Sequence, residues 1–257
     1  MTLTDKANRL RQLHSDPEIL VLVNVWDVIS ATVVAGLPGT TALATASHSI
    51  AASAGYPDGE QIPVDEMIAA IGRIAAAVDL PVTADLEAGY GDAGLTVRKA
   101  IGVGAVGGNL EDQMKPLDEA VAAVSAVVKA GSDEGVAFVL NARTDAFLKG
   151  AGRDPKDVLA DAITRGRAFL DAGADCVFVP GKLDAATTGA LVEALGERKV
   201  SVIGVPGALT GSEYEALGVA RISYGPWAQR AALTALADLG AELNTGGALP
   251  DGIRTLS

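Results

Sequence analysis

Short apolar runs rich in branched residues alternate along this chain with longer stretches in which apolar residues return every three or four positions. The first pattern is that of strands buried on both faces, the second that of helices with one buried face. Leu3, Ala7, Leu10 and Leu13 lie on one helical face over residues 3–14, so a helix precedes the first strand. That strand is the run Ile19-Leu20-Val21-Leu22-Val23-Asn24-Val25, too short for an ordinary helix and rich in branched side chains. Further strands are expected at 41–45, from Pro81 toward Glu87, and at 105–110, 136–142, 176–179, 200–205 and 220–223. Helices are expected at 30–35, 63–78, 95–103, 117–130, 155–172, 185–195, 212–217 and 226–239. Pro63 with Asp65 and Glu66 suits a first helical turn, and Gly173 suits a helix end.

This rhythm of eight strands, each followed by a helix, predicts an α/β fold. The expected form is a single (β/α)8 TIM barrel over residues 1–257, with an N-terminal helix preceding strand 1. A doubly wound sheet competes, but the first strand-to-helix junction, Asn24-Val25-Trp26-Asp27, has no Gly-rich phosphate-binding turn. The connection over residues 46–59 is long for a barrel loop, which marks it as functional.

Charge narrows the partners. The chain carries 32 acidic and 20 basic residues, a net charge of -12, and such a field repels phosphate backbones, so no nucleic-acid partner is expected. No apolar run reaches the roughly 18 residues of a membrane span. The opening Met-Thr-Leu-Thr-Asp-Lys-Ala-Asn-Arg-Leu has no apolar signal core either, so a cytoplasmic protein without a membrane partner is expected. The single cysteine, Cys176, excludes an internal disulfide and a cysteine-based zinc cluster, and its apolar surroundings mark it as a small core residue.

The chemistry gathers where predicted strands end. In Pro81-Val82-Thr83-Ala84-Asp85-Leu86-Glu87-Ala88-Gly89-Tyr90-Gly91 an apolar run stops at two acids, which share one face if the strand continues to Glu87. Two like charges on one face need a cation, a proton or a cationic group between them. In a barrel the C-terminal strand ends bring Trp26-Asp27, Thr45-Ala46-Ser47, Asp85-Leu86-Glu87, Glu111-Asp112, Arg143 and Pro180-Gly181 to one rim. Carboxylates without clustered histidine or thiolate suit a hard cation, Mg2+ or Mn2+. The fork of Arg143 suits a substrate carboxylate or phosphonate, or else pairs with Asp145 or another rim acid. His48 reads as a polar loop residue near the mouth rather than a proton donor, and His14 as a surface residue of the leading helix.

Several of these stretches fall in one family's order: Asn24-Val25-Trp26-Asp27, Gly55-Tyr56-Pro57-Asp58-Gly59, Asp85 through Gly91, Gly108-Asn109-Leu110-Glu111-Asp112, and Asn141-Ala142-Arg143-Thr144-Asp145. With Val179-Pro180-Gly181 and Arg221-Ile222-Ser223-Tyr224-Gly225-Pro226, they resemble the isocitrate lyase and phosphoenolpyruvate mutase superfamily over nearly the whole chain. The resemblance implies a Mg2+-dependent barrel that breaks or forms a C–C or C–P bond beside the enolate of a small 2-oxo or 2-hydroxy acid. It implies that Asp85 touches the metal while Asp58, Glu87 and Glu111 hold its waters. Arg143 would clamp the substrate, backbone N–H groups around Ala46 and Ser47 would receive a carboxylate, and Trp26 would wall the pocket. Lyases of the superfamily carry a Lys-Lys-Cys-Gly-His-type loop whose cysteine moves a proton. The corresponding Gln113-Met114-Lys115-Pro116-Leu117-Asp118-Glu119 has neither cysteine nor histidine, which points to the shorter, phosphonomutase-like branch. Hydrolysis of phosphonopyruvate or an oxaloacetate-like acid, and a catalytically silent metabolite-binding barrel, are the alternative readings. Exchange of C-terminal helices, common in the superfamily, implies a homo-oligomer, dimer or tetramer.

Overall fold

The computed structural model describes residues 1–256. Nine parallel strands are hydrogen-bonded in the order β1-β9-β8-β7-β6-β5-β4-β3-β2. They are β1 (Leu20–Leu22), β2 (Asn24–Val25), β3 (Leu43–Thr45), β4 (Val82–Asp85), β5 (Gly107–Glu111), β6 (Val139–Arg143), β7 (Cys176–Phe178), β8 (Val200–Ile203) and β9 (Arg221–Ser223). The helices are α1 (Leu3–Ser15), α2 (Val28–Ala35), α3 (Ser47–Ser53), α4 (Val64–Ala76), α5 (Ala93–Gly102), α6 (Leu117–Asp133), α7 (Pro155–Asp171), α8 (Ala185–Leu195), α9 (Gly211–Ala216) and α10 (Trp227–Asn244). The result is the TIM-type barrel that the alternation predicts.

The ninth strand arises because the first predicted strand is two. β1 pairs with β9 and β2 pairs with β3, so the chain changes partner at Val23 and joins the two ends of the sheet. Asn24 secures that junction. Its Oδ1 accepts the N–H groups of Tyr224 at 2.7 Å and Gly225 at 2.8 Å, while Nδ2 donates to the Thr45 carbonyl at 2.9 Å. One amide thus replaces ladder bonds that neither half-strand can make.

α1 lies across the N-terminal end of the barrel. Its Leu10 packs where a side chain on Gly107, the first residue of β5, would stand: a Cβ there would meet Leu10 at 2.6 Å. Glycine at 107 is therefore what lets the leading helix plug the barrel. The same packing buries His14 to 4 % exposure, against the surface position expected from sequence. His14 Nδ1 bonds the Leu10 carbonyl at 2.8 Å, and burial, with the nearby Arg221 charge, pulls the imidazole down to about 3. The folded state therefore keeps His14 neutral, whereas the unfolded chain protonates it near pH 6.5, so this stability is present above pH 6.5 and lost below it at about 1.4 kcal/mol per pH unit. Urea unfolding is expected to show the wild type losing about 2 kcal/mol more than His14→Met between pH 7 and pH 5. Equal losses in the two proteins would refute the buried neutral imidazole.

The connection over residues 46–59, expected from sequence as a long barrel loop, contains α3. Seven residues give too few turns for a periodic signal. α3 nevertheless sets the direction of Ser47 and His48 at the C-terminal rim.

Candidate active site

Six of the rim residues singled out in the sequence, Pro180 and Gly181 among them, meet with Asp58 around one cavity of about 220 Å³ at the C-terminal end of the barrel. Ala46, Ser47, Asp58, Asp85 and Arg143 line it, together with Asn24, His48 and Asn109. Leu148, Phe178, Ile203 and Val205 add apolar lining to the same cavity. Inward residues alternate along the strands that supply them, as Asn109 does between the outward Gly108 and Leu110. A polar residue amid an apolar strand was the available signal for Asn109.

Asp85 ends β4, and the rim fixes it from two sides. Its N–H donates to Thr45 Oγ1 at 2.9 Å, and its Oδ2 accepts Ser47 Oγ at 2.7 Å and Ser47 N–H at 3.1 Å. Oδ1 takes no hydrogen bond from the described residues. The Ser47 N–H is thus already engaged, and the Ala46 N–H donates to the Val25 carbonyl at 3.1 Å. A ligand carboxylate at Ser47 would displace the bond to Asp85.

Glu87 does not share a strand face with Asp85, because β4 stops at Asp85 and Glu87 has φ +51°. A left-handed backbone at a residue with a side chain costs on the order of 1 kcal/mol and persists only where neighbours hold it. Here Oε1 accepts the Tyr90 hydroxyl at 2.8 Å, and Oε2 accepts the Glu60 N–H. Glu60 returns a bond by accepting the Tyr90 N–H at 2.6 Å. Gly89 completes the turn at φ +91°, where a Cβ would meet Ala93 at 2.7 Å. Tyr90 is therefore a brace for Glu87, and the two loops that bear Asp58 and Asp85 are tied together. Burial pushes the Glu87 carboxyl up, opposed by Tyr90 and the Glu60 N–H and reinforced by Asp85 and Asp58.

Glu111 and Arg143 end adjacent strands. Arg143 Nη1 binds Glu111 Oε2 at 2.7 Å and Nε binds Asp145 Oδ1 at 2.8 Å. Arg143 stands between the mouth cavity and a neighbouring one of about 300 Å³, which Glu111, Asp112 and Lys115 line. Burial pushes Glu111 up to about 7 even though Arg143 favours its charge. Burial also works against the Arg143 charge, but Glu111 and Asp145 outweigh it and hold the guanidinium firmly protonated. The loop after β5 is pinned from behind, since Arg165 Nη1 donates to Asp112 Oδ2 at 3.1 Å and to the Lys115 carbonyl at 3.0 Å.

Trp26 does not reach the cavity. β2 ends at Val25 and Asp27 caps α2, so Trp26 falls in the turn and lines an outer groove with Ala70 and Arg73. His48, read from sequence as a loop residue, is at the cavity wall, and its Nδ1 is buried without a partner.

A hard cation fits this donor set. Buried or half-buried carboxylates outnumber the guanidinium of Arg143, with Glu87 buried and Asp85 and Glu111 half-buried, two are pushed upward by burial, and Asp85 keeps an oxygen free. Among the described residues no three carboxylate, imidazole or thiolate groups converge on one point. A cation here would therefore have few protein ligands and several waters, as Mg2+ prefers.

Comparison with known proteins identifies the family. The family model for phosphoenolpyruvate phosphomutase matches residues 10–244. An oxaloacetate decarboxylase of Paraburkholderia xenovorans is 30% identical over 230 residues, covering 82% of this chain and 73% of its own. A 2,3-dimethylmalate lyase of Eubacterium barkeri is 32% identical over 187 residues, covering 67% of this chain and 62% of its own. A solved structure from Burkholderia cenocepacia, provisionally termed a phosphonomutase, has 42% identity and a TM-score of 0.87, covering 92% of this chain and 99% of its own. The chain belongs to the phosphoenolpyruvate phosphomutase family, within the isocitrate lyase and phosphoenolpyruvate mutase superfamily, and is an enzyme of lyase or mutase type.

Proposed function

We propose that this enzyme cleaves a C–C bond in a small 2-hydroxy or 2-oxo acid, in the cytoplasm, with Mg2+ as cofactor and Mn2+ as its substitute. The observation that carries the reading is the mixed lining of the mouth cavity, where Asp85, Asp58 and Arg143 share one space with Leu148, Phe178, Ile203 and Val205. Asp85 would hold the ion directly, and Asp58, Glu87 and Glu111 would order its waters. The ion, when bound, stabilises negative charge on an enolate oxygen. Arg143 binds the substrate carboxylate, and the apolar lining takes an alkyl substituent. C–P chemistry fits less well. A phosphonate adds two negative charges, and Arg143, already shared by Glu111 and Asp145, is the sole Lys or Arg lining the cavity.

1H and 31P NMR with Mg2+, against 2,3-dimethylmalate, 2-methylisocitrate, oxaloacetate, phosphonopyruvate and phosphoenolpyruvate, tests this. Magnesium-dependent release of a 2-oxo acid from one of the carbon acids is expected. Conversion of phosphonopyruvate would assign C–P chemistry instead, and no turnover without oxalate binding would mean a silent barrel.

We propose further that two copies exchange α10. Only Gln229 of this 18-residue helix is buried, while Leu233 and Leu236 are 54% and 63% exposed. On the outer face of β1, Val21 is 44% exposed where a barrel strand ordinarily has a helix over it. Light scattering is expected to give a dimer or tetramer, and Leu233→Glu with Leu236→Glu a smaller species of lower Tm. A monomeric wild type would end the proposal.

A further inference from the structure

We propose that His48 is a proton-transferring residue of this enzyme, delivering a proton to the carbon released when the substrate bond breaks; the inference rests on the C–C-cleaving reading above. The charged groups facing the cavity are Asp58, Asp85 and Arg143. Asp85 Oδ2 is committed to Ser47, and Arg143 to Glu111 and Asp145. The Ser47 hydroxyl hydrogen is committed to Asp85. His48 lines the same cavity, and no protein group claims its buried Nδ1. An unpaired buried ring nitrogen costs free energy, a cost the fold also bears at His14 Nε2, so it is the position of His48 on the cavity wall that sets it apart.

Asp58 faces the same cavity but is given to the waters of the ion in the reading above, and the remaining proton carriers are misplaced. Cys176 is buried and its thiol is pushed up to about 12 by burial, while His14 lies at the opposite end of the barrel. The Tyr90 hydroxyl donates to Glu87, and Lys115 lines the neighbouring cavity. The β5–α6 loop has no cysteine or histidine. In cleavage of a 2-hydroxy acid the C2–C3 bond breaks, C2 becomes a carbonyl as its hydroxyl proton leaves to solvent, and the bond's electron pair stays on C3. The imidazolium of His48 then protonates C3, and solvent reprotonates the ring. The step is redox-neutral, with one proton lost from oxygen and one gained by carbon.

His48→Asn is compared with the wild type, both with Mg2+ and 2,3-dimethylmalate or oxaloacetate in D2O, by 1H NMR, with oxalate affinity measured by calorimetry. The expected result is kcat lower by about 10²–10⁴-fold, with KM and oxalate affinity changed less than threefold and partial recovery in added imidazole. A kcat within threefold of wild type, in a protein that turns substrate over, would overturn the role of His48 and leave the enzyme reading standing. A wild type that neither turns over these acids nor binds oxalate overturns both. A variant weakened equally in oxalate binding and kcat, and not rescued by imidazole, would make His48 a binding residue and overturn proton transfer.

Discussion

Asp85→Ala is expected to lower kcat by about 10³-fold and to abolish Mg2+-dependent binding of oxalate, with the far-ultraviolet circular dichroism unchanged. The loss corresponds to about 4 kcal/mol of transition-state stabilisation, the scale of several kcal/mol that a Lewis-acid cation supplies. The fold should tolerate the change because Asp85 ends β4 and its side chain supports only Ser47. Two bonds are removed, from the Ser47 hydroxyl and N–H, and both groups can turn to water at the mouth. Asp85→Asn is the sharper control, since it keeps size and hydrogen bonding but loses the charge that favours a divalent ion. Turnover by either variant above a tenth of the wild-type rate would show that Asp85 does not hold the ion.

Arg143→Met is expected to do two things that Asp85→Ala does not. It removes substrate capture, raising KM by about 10²-fold, the equivalent of a charged hydrogen bond left unmade. It also leaves Glu111 and Asp145 facing each other without the guanidinium that separates them at 2.7 and 2.8 Å. A fully buried pair broken this way loses about 3–5 kcal/mol, and the partial exposure of this rim reduces the expectation to about 1–3 kcal/mol. Arg143→Lys should recover much of the stability but little of the affinity, because an ammonium reaches one carboxylate and has no planar fork for three partners. Urea unfolding alongside steady-state kinetics separates the two effects. Loss of affinity in Arg143→Met with no loss of stability would mean that the two ion pairs contribute nothing to the folded state.

Much of this was legible in the residues, for a physical reason. A parallel barrel buries its strands on both faces, so the strands appear as continuous apolar runs and their C-terminal ends as sudden polarity, at Asp85, Glu111 and Arg143 alike. What a run cannot reveal is where pairing stops. Glu87 follows Asp85 at period-two spacing, but a left-handed turn intervenes, and its carboxylate goes to Tyr90 and Glu60, the latter 27 residues away in sequence. Trp26 sits beside residues of the rim, yet a helix cap one position on turns it outward. His14 is buried where the surface was expected, and His48 stands on a helix at the mouth where a loop was expected, because each depends on a short or leading helix packing on a distant surface. No local pattern encodes that contact.

The joint at Asn24 has a consequence for how the chain comes into being. Its side chain holds the N–H groups of Tyr224 and Gly225, and β1 finds its ladder partner only in β9, some 200 residues downstream. Contacts of such separation form late, since the intervening chain must already be compact before its ends can meet. During synthesis the ribosome therefore carries an open, curved sheet with the edge of β1 unpaired until β9 has cleared the exit tunnel. Exposed strand edges invite pairing with other chains, so the nascent enzyme is most exposed to misassembly in the interval before β9 emerges.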